Sequence, residues 1–116
     1  FLLEERLMGY RNVLVTAAVI LVVLTSLSVA QKGNPTKGKE VFSRCAVCHG
    51  NSGEGREAIA KVYGVEMRRL GSKAVQSQDD ASLKKGIVEG KGKMPPVKLT
   101  DQELADVVAF LRTLKE

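Results

Sequence analysis

By its pattern of apolar and polar positions the chain falls into two unlike parts. Residues 13–24 are apolar apart from Thr16, with no polar face, preceded by Arg11 and followed by Thr25-Ser26-Leu27-Ser28-Val29-Ala30, where small and polar side chains take over. Unbroken apolarity of this kind predicts a hydrophobic N-terminal helix. It serves either as a secretory signal cleaved after Ala30 or as an uncleaved membrane anchor, because residues 13–30 span 18 positions, the lower edge of what crosses a bilayer. Arg6 and Arg11 precede the run and basic flanks stay inside, so both outcomes place the remaining chain outside the cytoplasm. Phe1 is no initiator, and Met8-Gly9-Tyr10-Arg11-Asn12 would itself serve as a short basic leader, so residues 1–7 read as extraneous.

From Gln31 the pattern changes to short amphipathic helices divided by glycine and proline. Gln31-Lys32-Gly33-Asn34-Pro35 reads as a polar linker, and a helix is expected from Thr36, its candidate cap, to His49, with Gly38, Val41, Phe42 and Cys45 on one face. Residues 51–55 read as a loop, a short helix over 57–63 stops at Gly64, and 65–78 shows no period and is expected to be irregular. Asp79 or Asp80 caps a helix to about Glu89, with Leu83 and Ile87 four apart and Gly90 as the stop. Thr100 and Glu103 form a capping box opening a last helix, whose stripe is Leu104, Val107, Val108, Leu111 and Leu114. No segment alternates with period two, so the fold class is all-α. Phe42 and Phe110 are the expected aromatic contact between first and last helices, with Gly38 letting the backbones approach.

Composition adds a difficulty. The 116 residues allow one domain, expected at 36–116 after residues 1–30 and the 31–35 linker, and only 86 residues follow Ala30. Three Phe, two Tyr and no Trp make a thin core for so short a chain, so apolar bulk must come from elsewhere and the apoprotein is expected to fold poorly. The net charge of +5 is the same with or without residues 1–30, since Arg6 and Arg11 balance Glu4 and Glu5. A mild basic excess favours an acidic partner, but the lysines are dispersed and lack interleaved aromatics, which argues against nucleic acid.

The missing bulk has a candidate in Cys45-Ala46-Val47-Cys48-His49, which holds both cysteines and the only histidine of the chain. C-x-x-C-H is the attachment pattern of c-type haem: two thiols add across the porphyrin vinyl groups and the adjacent imidazole reaches the iron. Residues three apart share a helix face, so Cys45 and Cys48 reach one porphyrin edge while His49 turns under the ring. Other readings are weaker. Zinc would need a carboxylate as fourth ligand, a redox dithiol would need a preceding strand, and a disulfide here would close too short a loop to restrict the unfolded chain. An exported chain also suits a motif whose cysteines would otherwise oxidise.

With Gly38-Lys39-Glu40-Val41-Phe42 leading into the motif, Gly50 after it, and Gly92-Lys93-Met94-Pro95-Pro96 downstream, the chain from about Pro35 resembles a small monohaem class I c-type cytochrome. The resemblance implies three to five helices around one covalently attached haem c, His and Met as axial ligands, and electron carriage between redox partners. Met94 is then the candidate sixth ligand opposite His49: a soft thioether suits haem iron, and Pro95-Pro96 stiffens its loop. Met67 is the rival, read as core or haem-edge packing. Val41, Leu70, Ile87, Val97 and Leu99 are pocket wall or generic core alike. Relatives often place a proline whose carbonyl accepts from the proximal imidazole; this chain has Arg56-Glu57-Ala58-Ile59 there, so a carbonyl near Ala58 or Ile59 is the expected substitute. Arg56, Arg68, Arg69 and Lys73 are candidates for the propionates, or simply a solvated basic surface.

The expectation is a monomeric one-electron carrier, not an enzyme, working with respiratory or photosynthetic-type redox partners on the periplasmic or extracytoplasmic side, free or tethered through residues 13–30. Lys84, Lys85, Lys91, Lys93 and Lys98 bracket Met94, and either steer an acidic partner or serve as solubilising charge. Two other functions compete: a haem subunit of a larger membrane oxidase or dehydrogenase, and a peroxidase or gas sensor with a dissociable Met94.

Overall fold

The computed structural model describes residues 1–26 and 31–116, which form seven helices and no strand beyond an isolated bridge between Lys91 and Met94. The chain divides into two units, Phe1–Ala30 and Gln31–Glu116. In the first, α1 (Leu2–Ser26) carries Glu4 and Glu5 in its opening turn, where the helix dipole favours negative charge. Thr16 donates its hydroxyl back to the Asn12 carbonyl at 2.7 Å. Among the described residues no helix is long and apolar enough to cross a membrane. The expected cleavage stretch, residues 27–30, lies outside the described residues.

The second unit departs from the expected first helix at both ends. α2 (Pro35–Phe42) starts one residue early because Asn34, not Thr36, is the cap: its side chain accepts from the Thr36 and Lys37 amides, and Pro35, lacking an N–H, sits in the first turn. The helix does not run through to His49. Ser43 donates its hydroxyl to the Glu40 carbonyl at 2.6 Å, and Arg44 and Cys45 bond three residues back to Val41 and Phe42, tightening the chain into a turn before α3 (Ala46–His49) resumes. The supposed linker is partly docked as well. The Asn34 amide donates to Asp106 Oδ1 at 2.7 Å, Gln102 reaches the Lys32 carbonyl at 3.4 Å, and a Cβ on Gly33 would collide with the Ala105 carbonyl.

α4 (Glu57–Tyr63) ends at Gly64 in the left-handed conformation, and α6 (Asp80–Glu89) is capped by Asp79, which accepts from the Ser82 amide at 2.7 Å. Between them α5 (Lys73–Gln76) occupies part of the stretch expected to be irregular, and its Val75 is 6% exposed, a core residue. α7 (Asp101–Leu111) has both halves of the Thr100–Glu103 capping box.

The core joins Phe42, Val75, Leu83, Val107, Val108, Phe110 and Leu111, so it is built on the crossing of α2 with α7. Phe42 and Phe110 meet with ring centroids 5.0 Å apart at 50°. Gly38 makes the approach possible, since a Cβ there would run into the Asp106 carbonyl and stand 2.9 Å from Phe110 Cβ. Leu104 and Leu114 pack on this cluster only partly buried, Leu114 beyond the end of the helix at Leu111. α5 is tied down by polar bonds: Gln76 Nε2 donates to the Leu70 and Leu111 carbonyls at 2.8 and 2.9 Å, and Arg112 donates to the Gln76 carbonyl, the Gln78 carbonyl and Asp80 Oδ1.

Candidate functional site

Cys45, Cys48 and His49 come together on the single turn of α3. Cys45 caps its N-terminal end, Cys48 follows one turn on, and the His49 amide bonds back to the Cys45 carbonyl at 2.9 Å. Both thiols are free and half-buried. Burial pushes the Cys45 thiol up, against the opposing pull of Arg44, so it stands protonated rather than as a reactive thiolate. His49 is half-buried, with its Nδ1 enclosed and unpartnered among the described residues. Burial lowers its pKa, so the ring is neutral at physiological pH, the form that binds a metal. No group of three or more His, Cys, Asp or Glu side chains assembles among the described residues, which leaves zinc without a donor set. Two free thiols three apart beside a neutral imidazole are the donors a covalent haem needs.

The turn leaving α3 is densely bonded. Gly50 and Gly53 adopt φ of 79° and 71°, Gly53 donates to the Gly50 carbonyl at 3.2 Å, Gly55 to that of His49 at 2.6 Å and Arg56 to that of Cys48 at 3.0 Å. Glu54 folds beneath it and accepts from the Ser52 amide at 2.8 Å. The expected carbonyl near Ala58 or Ile59 does not reach His49: both residues lie inside α4, where the helical ladder uses their carbonyls, and Nδ1 has no partner among the described residues.

Met94 stands on a different element, the turn between α6 and α7. Lys91 and Met94 exchange backbone bonds of 3.0 and 2.9 Å, the Val97 amide donates to the Ile87 carbonyl at 2.9 Å, and Gly90 is pressed against the Met94 carbonyl and Pro96. The side chain is half-buried. Met67 lies elsewhere, under Gly55 in a groove of about 580 Å³ that runs from Glu54 to Met67 and includes none of Cys45, Cys48, His49 or Met94. Of the suggested wall residues, Val41, Leu70, Ile87 and Leu99 pack on the core cluster, and Val97 is half-buried apart from it. Arg56, Arg68, Arg69 and Lys73 are exposed, and Arg56 donates to the Val47 carbonyl at 3.3 Å.

The family model described as cytochrome c matches residues 35–115. A cytochrome c2 from Rhodomicrobium vannielii is 31% identical over 109 residues, covering 76% of this chain and 85% of its own. A cytochrome c-553-like protein from Synechocystis sp. is 32% identical over 88 residues, covering 74% of each chain.

Proposed function

The chain belongs to the cytochrome c family, and from that premise we propose that Cys45 and Cys48 would carry its covalent haem and that His49 and Met94 would be the ligands of its iron. Membership makes it an all-α electron carrier with a covalently bound haem c, not an enzyme. The observation that carries the residue assignment is α3 itself, where both free thiols and the chain's only histidine, neutral and with an unpartnered ring nitrogen, share one turn. The haem supplies a one-electron couple. His49 offers a neutral nitrogen, and Cys45 and Cys48, one turn apart, offer the two sulfurs. The Met94 turn, closed by two backbone bonds and followed by two prolines, holds a thioether with little freedom to leave. A carrier needs such restraint, because ligands that stay in place keep reorganisation small as the charge changes.

The direction of export and the partner belong to the same reading. Residues 1–30 direct the chain out of the cytoplasm, where paired thiols await haem. Lys85, Lys91, Lys93 and Lys98, all exposed, present a positive face near Met94 to an acidic redox partner.

The test is an optical one on the exported protein. Acid-acetone extraction should leave Soret absorption on the denatured polypeptide, and Cys45→Ala with Cys48→Ala should release it. A colourless extracted wild-type chain overturns the assignment.

A further inference from the structure

Nothing among the described residues hydrogen-bonds to the enclosed nitrogen of His49, so its orientation depends on the backbone that carries it. That backbone is held at two carbonyls, His49 by the Gly55 amide at 2.6 Å and Cys48 by the Arg56 amide at 3.0 Å. Both donors follow directly after Glu54. The Glu54 side chain in turn folds back into the turn it belongs to: its carboxylate accepts the Ser52 amide at 2.8 Å and lies over Gly50, where a Cβ would collide with it. Gly50 is buried with φ 79° and ψ 164°, a conformation only glycine adopts readily, so no side chain of its own could do this work.

A glutamate on a glycine-rich surface turn is ordinarily a solvated charge, free to sample many rotamers. Here the Ser52 amide holds the carboxylate against Gly50, and backbone hydrogen bonding first, then Arg69 and Arg56, favours the ionised form. We propose that Glu54 is a positioning residue for His49, clasping the turn from Gly50 to Gly55 so that the backbone bearing the imidazole keeps one orientation. The proposal rests on His49 being an axial ligand of the haem. It makes Glu54, and not a carbonyl of α4, the residue on which the ring's setting depends.

The experiment compares Glu54→Ala and Glu54→Gln in the haem-loaded protein, reading the hyperfine-shifted His49 ring resonances of the ferric form and the midpoint potential. Glu54→Ala should displace the ring resonances and move the potential. Glu54→Gln keeps an acceptor for the Ser52 amide and should restore the resonances, leaving only a salt-sensitive rise in potential from the lost negative charge, which favours ferric iron. If Glu54→Ala keeps wild-type ring resonances and potential, even with a lower melting temperature, the side chain is merely structural and the proposal fails. Failure of the haem assignment is distinguishable, because wild-type protein would then show no hyperfine-shifted histidine at all.

Discussion

Replacing Gly38 by alanine pits two opposing effects against each other. Inside an exposed helix the change stabilises by about 1 kcal/mol, through lower backbone entropy in the unfolded chain. At Gly38 the new methyl meets the carbonyl carbon and oxygen of Asp106 and stands 2.9 Å from Phe110 Cβ, and the first two contacts are with backbone that cannot rotate away. Overpacking of this kind costs about 3 kcal/mol, the upper part of its usual range, because relief requires α2 and α7 to separate and the Phe42–Phe110 contact at 5.0 Å to loosen. The net loss is therefore about 2 kcal/mol, or about 10 °C in melting temperature for a domain of this size. Gly86, inside α6, supplies the control: a Cβ there meets no protein atom within 4 Å, so Gly86→Ala should gain about 0.5–1 kcal/mol. Both variants are to be followed by guanidinium and thermal unfolding of the haem-loaded protein. A Gly38→Ala protein as stable as wild type would refute the argument that helix contact at this point limits the fold.

Thr100→Ala removes one half of the capping box and should lower stability by about 1 kcal/mol, read as a fall in urea midpoint at constant slope. Asp106, 3% exposed, is held below the usual carboxylate range first by the Asn34 amide and then by Gln102. Its folded pKa being the lower one, it contributes stability above the unfolded pKa that is lost as pH falls through the folded value, so Asp106→Asn should flatten the urea-midpoint profile below about pH 4. Met94→Ala should abolish the far-red absorption band of ferric iron bonded to sulfur and let carbon monoxide bind the reduced protein; a variant that keeps the band makes Met67 the ligand to test. Second-order rates with an acidic partner should fall as ionic strength rises, and a flat profile removes the role given to the lysines.

Local chemistry made much of this fold legible. α6 and α7 open at caps that are a nearest-neighbour affair, Asp79 with Ser82 and Thr100 with Glu103, and α4 and α6 stop at Gly64 and Gly90, so the sequence pattern carries those boundaries. The motif on α3 is equally local. What escaped depends on partners far along the chain. α5 looks aperiodic because its register is fixed by Gln76 and Arg112 bonds to another element, and the strap around Gly33 and Asn34 looks like a linker until Asp106 and Ala105 are placed beside it. The break at Ser43 and the Asn34-Pro35 cap carry short-range signals that a longer helical period concealed. Glu54 belongs to a third kind, a residue whose composition says loop and whose geometry assigns it a task.

The pairing of α2 with α7 also sets when the molecule can close. Asn34 and Asp106, bonded at 2.7 Å, are 72 positions apart, and drawing together ends so distant costs about 4 kcal/mol in chain entropy before any contact repays it. No intermediate length of chain can complete that seam. A polypeptide emerging from its amino end therefore shows Cys45, which packs against the shared core, to its surroundings until the final helix arrives. The interval before closure is the time in which that thiol is not yet covered by the last helix.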